Sequence, residues 1–315
     1  MSGVALIRNP NSTGNLRSAS SAATRAGIPA EIRLIDGSTL DTLSTDLVAA
    51  HATGIDLILI DGGDGTVREV LSRLPEIWGA ALPRIGILPH GNTNLIAREV
   101  GGLQSADAIS QLLRRLESGP PLPERQRAIL RLDYPAGEHP TLRGFMMGWG
   151  AYATGTRIAR DEIAARGSGQ ATLAVLSTLR RALIGAERAA LRRGVAAGIS
   201  IDGGPVARSE RLLGLATTLQ QSLVAGLNPF WGAGPGPIRW LDIDAPGHRL
   251  VLAAPFLALG KPRRWMSRSG YTSGRAARIE LELDTPFIMD GEAFPSAASG
   301  PMILSAREEI TFISL

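Results

Sequence analysis

The chain has 315 residues, 44% of them hydrophobic, enough for one large domain or two ordinary ones with a buried core. Its 33 basic and 29 acidic residues leave a net charge of +4, too small an excess to name an anionic partner, and a nucleic-acid partner is not expected. The absence of cysteine excludes disulfides, thiolate metal sites and a cysteine nucleophile.

In chain order, the apolar run 4–7 predicts a strand, followed by the turn-rich segment 9–15 and a helix. Segment 32–35 predicts a second strand, 40–53 a helix, and 56–60 a third, fully buried strand. After the loop 61–66, a helical pattern covers 67–74, and 85–88 predicts a fourth strand ending at Pro89. This alternation predicts a parallel α/β layer sandwich. The proline cluster at 119–123 marks a boundary. It gives a first domain of 1–122, with 303–315 as a candidate closing element, and a second of 123–302. Runs at 128–134, 144–148, 195–201, 211–219, 248–254 and 277–283 predict strands of an antiparallel β-sandwich, interrupted by a helix at 170–193. A last strand at 309–314 suits either domain. No run approaches about eighteen uninterrupted apolar residues and no leader pattern opens the chain, so a soluble, cytoplasmic protein is expected.

Gly62-Gly63-Asp64-Gly65-Thr66 stands between a buried strand and a helix. Glycines let a ligand approach the backbone, and a helix N-terminus offers amide donors and a positive dipole end to phosphate. Asp64 is awkward beside bare phosphate. It suggests Mg²⁺, held directly or through water, or a proton to be moved, with no part in supporting the core. The plainer reading makes Asp64 a helix cap. Pro89-His90-Gly91-Asn92-Thr93-Asn94 repeats the arrangement after the fourth strand, and Asn9-Pro10-Asn11-Ser12-Thr13-Gly14 follows the first. In an open α/β sheet these loops line one crevice. The late Asp290-Gly291-Glu292 offers two carboxylates, although Asp-Gly is also a common hairpin turn. Leu173, Leu176, Leu179 and Leu183 form an apolar stripe opposed by Arg181, Arg188 and Arg192, the pattern of a helix that lies on an anionic bilayer or covers a sheet. His51, His90, His139 and His248 show no ligand spacing.

Taken together, the three loops, Glu69 in the following helix, the segment 228–235 and the late Asp290-Gly291-Glu292 resemble the diacylglycerol kinase catalytic family, which includes bacterial lipid kinases and the sphingosine and ceramide kinases. The resemblance implies an ATP- and Mg²⁺-dependent lipid kinase with a nucleotide between an α/β domain and a β-sandwich domain. Asn9, Pro10, Asn11, Ser12, Gly62, Gly63, Asp64, Gly65, Thr66, Glu69, Gly91, Asn92 and Thr93 would surround ATP. Glu292 would act as the base and Asp290 as its partner or a metal contact, with Asp64 the alternative base. It further implies a diacylglycerol, sphingoid-base or ceramide acceptor; the arginine-bearing helix adds the expectation of peripheral association with anionic membranes, and a homodimer is left open. Asn92, Leu95 and Arg68 depart from the family pattern, Arg17 is the nearest replacement for a lysine after the first loop, and Trp240-Leu241-Asp242-Ile243-Asp244 reduces an element tied to a separate structural Mg²⁺. The alternatives are a small-molecule kinase like the NAD kinases and a non-catalytic lipid-binding regulator on the same fold.

Overall fold

The computed structural model describes residues 3–12, 15, 31–91, 93–103, 108–166, 189, 192–221, 223 and 226–315. It divides into two compact units, Met1–Arg127 with Glu309–Leu315, and Ala128–Glu308. The divisions fall inside two strands and not at the proline cluster, because the segment just after that cluster still packs with the first unit.

In the first unit, β1 (Gly3–Arg8), β2 (Ile32–Asp36), β3 (Ile55–Gly62) and β4 (Arg84–Pro89) form a parallel sheet in the order β2-β1-β3-β4. Leu6 lies between Leu34 and Leu59, Ile60 between Ile7 and Ile87, and Phe312 continues the sheet in parallel beside Ile85. Leu57, Ile58, Leu59 and Ile60 are wholly buried, as a parallel strand covered on both faces requires. Each contributes about 1.5–3 kcal/mol. Helices α1 (Leu40–Ala52) and α2 (Asp64–Trp78) pack on one another and against β3. The short α3 (Leu95–Val100) follows β4, and α4 (Ala108–Ser118) places Ala108 and Leu112 in a core with Leu6, Leu57 and Leu59. α2 starts three residues before the periodic segment, so Asp64, Gly65 and Thr66 are its first turn and Gly63 its N-cap. The apolar period is silent there, since the first turn is set by its free amides and not by packing.

The second unit begins within β5 (Glu124–Asp133) and continues through β6 (Leu142–Gly144), β7 (Met146–Gly150), α5 (Ala151–Arg166), β8 (Val195–Ile201), β9 (Ala207–Thr217) and β10 (Ile238–Asp244). It is completed by α6 (Leu250–Ala258), α7 (Arg264–Arg268), β11 (Tyr271–Ala276), β12 (Arg278–Leu283), β13 (Phe287–Met289), β14 (Glu292–Phe294) and β15 (Met302–Ile313), of which the last residues belong to the first unit. The strands run β14-β13-β7-β9-β8-β12-β15, each neighbour antiparallel, and β10 pairs with β9 and β11. Trp149, Ala216, Ile238, Leu281, Phe287 and Met302 share its core.

Two expectations change here, and a third falls outside the described residues. The run at 248–254 is not a strand but leads into α6, because a short apolar run has no period that separates strand from helix. The helix at 170–193 lies almost wholly outside the described residues, as do Arg181 and Arg188, whereas α5 at Ala151–Arg166 carried no clear apolar stripe to announce it. The run at 144–148 breaks at Phe145 into two strands.

On β9 and β10, the Arg211 guanidinium sits 2.7 Å from Asp242 and also pairs with Asp244. Burial, opposed by Arg211 and reinforced by Asp244, pushes the Asp242 carboxyl up to about 7. A raised carboxyl holds its proton more tightly in the folded state, so this group costs stability progressively as pH rises from about 4 to about 7. Asp242→Asn should therefore gain on the parent chain across that interval and hold a constant offset above it, as read from urea midpoints at several pH values. A pH-independent offset would mean that folding leaves the Asp242 carboxyl's proton affinity unchanged over that range.

Candidate functional site

Because β1 lies between β2 and β3, the chain leaves β1 and β3 in opposite lateral directions, and the loops after β1, β3 and β4 open at one edge of the sheet. Such a reversal is where open parallel sheets bind ligands. The first loop is tied down by Asn9. Its backbone N–H donates to the Asp61 carbonyl at 3.0 Å, its side-chain amide donates to Thr66 Oγ1 at 2.9 Å, and its Oδ1 accepts the Asn11 N–H. Pro10 and Asn11 are exposed, while the Ser12 hydroxyl is buried and has no hydrogen-bond partner.

The second and third loops touch through their backbones. A Cβ on Gly91 would lie 2.5 Å from the Gly63 Cα, and one on Gly63 would lie 3.0 Å from the Gly91 Cα, so neither position has room for a side chain. A Cβ on Gly62 would collide with Thr66 at 2.8 Å. The His90 N–H donates to the Gly62 carbonyl at 3.0 Å, and Asn94, in the left-handed region with φ 48°, closes the third loop by accepting the Gly91 N–H at 2.8 Å. Gly65 and Thr93 are partly buried beside these contacts, and Asn92 lies outside the described residues.

Asp64 is not the unsupported carboxylate that the glycine-rich context suggests. Its two oxygens accept the backbone N–H groups of Leu95 and Ile96 at 3.0 and 3.1 Å, which are the first two amides of α3. It caps a helix, but α3 and not its own. Burial pushes its carboxyl up, and those two amides offset the rise only in part. Glu69 is likewise engaged, with Arg68 and with Arg73 at 2.6 Å, and Arg73 Nε reaches Ser44 on α1.

A second cluster was not singled out by the motifs. Asp61, buried at the end of β3, accepts from Asn15 at 3.0 Å, meets His90 Nδ1 at 2.6 Å and lies 3.5 Å from Arg8 Nε. The signal was a charged residue closing the apolar run Ile58-Leu59-Ile60. The hydrogen bond from His90 to Asp61 raises the imidazole's affinity for its proton, against the opposing effects of partial burial and of Arg8.

In the second unit, Asp290 and Gly291 have φ of 46° and 84° and form the turn of the β13–β14 hairpin, with Met289 opposite Glu292. The Asp290 carboxylate accepts the N–H groups of Phe145 and Met146, at 2.9 Å each in the shorter contacts, and so marks the break between β6 and β7. Gly144 makes room for it, since a Cβ there would lie 2.4 Å from Asp290 Oδ2. Asp290 therefore anchors the hairpin that carries Glu292. Glu292 is partly buried on β14.

Among the described residues, no three His, Asp or Glu side chains gather as a metal site. Asp64 has both oxygens committed to amides, and Asp242 and Asp244 hold a guanidinium. The guanidinium occupies the place of a cation at Asp242 and Asp244, whereas each Asp64 oxygen accepts one amide and keeps a lone pair that a hydrated cation could use.

Residues 3–119 match the diacylglycerol kinase catalytic domain. The resemblance read from the motifs is borne out over that segment. Over 63 residues the chain is 35% identical to "Probable lipid kinase YegS-like" of Citrobacter koseri and 36% identical to "Probable lipid kinase YegS" of Shigella flexneri. These matches cover 20% of this chain and 21% of each relative, so the chain spans about a fifth of the length of the curated relatives it matches. A diacylglycerol kinase structure from Bacillus anthracis strain Sterne is similar with a TM-score of 0.59 at 16% identity, covering 99% of this chain and 96% of that one. The yeast NADH kinase complexed with NADH follows at 0.52 and 11%, covering 100% and 84%. At those identities the likeness is one of fold, and it agrees with an α/β unit joined to antiparallel strands.

Two outcomes follow for the diacylglycerol-kinase-like loops. Asp64→Ala leaves two helix amides without an acceptor and should lower stability by about 0.5–2 kcal/mol, visible in urea or thermal unfolding. Unchanged stability would mean that Asp64 does not cap α3. For His90, a folded-state proton affinity above the ordinary value of 6.5 stabilises the fold fully below that pH, and the contribution is lost as pH rises through the folded value. The stability gap between the parent and His90→Gln should be widest below pH 6.5 and shrink as pH rises above it, modestly, because the ring is half exposed and screened. A gap that widens with pH would remove the Asp61–His90 pair.

Proposed function

We propose that the chain is an ATP-dependent lipid kinase that phosphorylates the hydroxyl of a diacylglycerol, a sphingoid base or a ceramide at an anionic membrane surface. The observation that carries this reading is the Gly63–Gly91 contact at the N-terminus of α2. Two backbones stripped of side chains, next to the first amides of a fifteen-residue helix, suit the close approach of a polyphosphate. The buried Ser12 hydroxyl, without a partner of its own, supports a polar guest at the same loops. The match of residues 3–119 to the diacylglycerol kinase catalytic domain supports phosphoryl transfer, and the names of the relatives support a lipid acceptor.

In this reading the chain's own groups divide the work. The α2 amides and the loop backbones bind the ATP phosphates. Asp64 fixes the third loop against the second, so that the phosphates meet a preset surface, which is how alignment lowers a phosphoryl-transfer barrier. Asp290 holds the hairpin that carries Glu292, and Glu292 accepts the proton of the lipid hydroxyl.

Turnover of γ-labelled ATP against an extracted lipid mixture, resolved by thin-layer chromatography, should give one labelled lipid. Glu292→Gln keeps the shape but not the proton acceptor, so kcat should fall by roughly 10²–10⁴-fold with the KM for ATP little changed. Label transferred to NAD in place of a lipid would replace the acceptor class, and a Glu292→Gln enzyme of parental kcat would move the base elsewhere.

A further inference from the structure

Among the described residues of the second unit, α6 carries a group of apolar side chains that the fold does not bury. On α6 and its C-cap, Val251 is 54% exposed, Leu252 55% and Leu259 62%, and Pro255 is exposed between them. At about 100° per residue these four positions fall on one side of the helix, while Ala253, wholly buried, lies on the other with the partly buried Leu257. α6 thus turns an aliphatic face to solvent along its whole length. The helix is held from behind by its C-terminal end: the Asn228 N–H donates to the Ala258 carbonyl at 2.8 Å, and Gly260, with φ 61°, packs against the Asn228 and Phe230 carbonyls.

The face is bordered by cations. Arg249 precedes α6, and Lys261, Arg263 and Arg264 follow it, with Arg268 at the end of α7; all five are exposed. Lys261 is the only lysine of the chain, and no acidic residue falls between Asp244 and Glu280. Two of the cations sit over aromatic rings that flank the face, Arg249 over Trp265 at 5.9 Å and Arg263 over Phe256 at 4.7 Å. Aliphatic tips, an aromatic border and a one-sign rim form the pattern by which a surface helix enters the headgroup layer of an anionic bilayer, the tips in the acyl boundary and the arginines and lysine at the phosphates. Among the described residues no helix is long and apolar enough to cross a membrane, so contact through these helices would lie in the plane of the interface.

We propose that residues 249–268, the α6–α7 segment, are the surface by which this protein docks on anionic phospholipid bilayers. The charge complementarity of five exposed cations, in a segment that carries no carboxylate, favours an anionic lipid surface over a basic protein groove, and the aliphatic face favours it over nucleic acid. The proposal deepens the lipid-kinase reading, on which its biological purpose rests, but its geometry is independent of catalysis.

The test is sedimentation of the full chain with vesicles of phosphatidylcholine alone and of phosphatidylcholine with phosphatidylglycerol. The parent should partition to the anionic vesicles and be released by salt. Leu252→Ser with Leu259→Ser should lower the partition coefficient at least about tenfold without shifting the unfolding midpoint, since both side chains are solvent-exposed. Lys261→Gln with Arg263→Gln and Arg264→Gln should lower it similarly and flatten the salt dependence. Parental binding by either variant overturns the proposal. So does a concentration-dependent dimer that the serine variant dissolves while vesicle binding is unchanged, because the face would then belong to a second copy of the chain. Phosphorylation of a detergent-dispersed lipid separates the two readings. Variants that lose vesicle binding yet keep that turnover support docking alone. Loss of vesicle binding in a chain that phosphorylates no lipid would support docking and sink the kinase reading.

Discussion

Gly63 and Gly91 approach so closely that a methyl group on either would press on the other's backbone. Much of the first unit's loop edge follows from that contact. It extends the β3–β4 register beyond the last strand pair, Gly62 with Pro89, through the bond from the His90 amide to the Gly62 carbonyl. It also brings α3 within reach of the first residue of α2, which is why Asp64 can cap a helix that begins 31 residues later in the chain. The loops therefore act as one piece. A side chain at either glycine would part them and, with them, the amides that face any ligand.

The two units use aspartate in the same way. Asp64 accepts the adjacent amides of Leu95 and Ile96, and Asp290 accepts those of Phe145 and Met146. Each stands beside a glycine at a turn and clamps a segment distant in sequence. An amide pair stabilises the ionised carboxylate, so such a group can be partly buried without a cation beside it. Asp61 solves the same problem with side chains, taking Asn15, His90 and Arg8 together. Three carboxylates near glycine turns are thus committed to architecture, and Glu292 is distinguished from them by its place on a strand edge past the turn and not within it.

The parallel sheet was legible because its strands carry a signal that needs no context: Ile55–Gly62 and Arg84–Pro89 are apolar runs cut by glycine and proline. The antiparallel strands of the second unit were legible for a similar reason, through runs such as Val195–Ile201. What the sequence hid was long-range. Nothing local tells that Asp64 serves α3, that Asp61 pairs with His90 at a separation of 29 residues, or that Arg211 joins Asp242 and Asp244. The loop residues were found by composition, whereas their partners depend on which strand ends are neighbours. α6 was misread for the opposite reason. Its apolar face looks outward, so the run at 248–254 shows no polar side and imitates a buried strand.

The same distinction governs the charges. Along the strands of the second unit several arginines are matched: Glu308 takes Arg131 at 2.7 Å and Arg143 at 2.6 Å, and their cations hold its carboxyl below the usual range against the effect of burial. Arg211 is shared by two aspartates. Along α6 and α7 no carboxylate is present in sequence to do this, and Arg249, Lys261, Arg263, Arg264 and Arg268 stand exposed around an aliphatic face. A net charge of +4 averages over these two regimes and so carries little information by itself. A small excess spread over paired arginines does little at a distance, whereas the same few charges collected without counterions beside exposed leucines create a local field and an apolar contact together. Composition reports the sum, and the fold determines where it is left uncancelled.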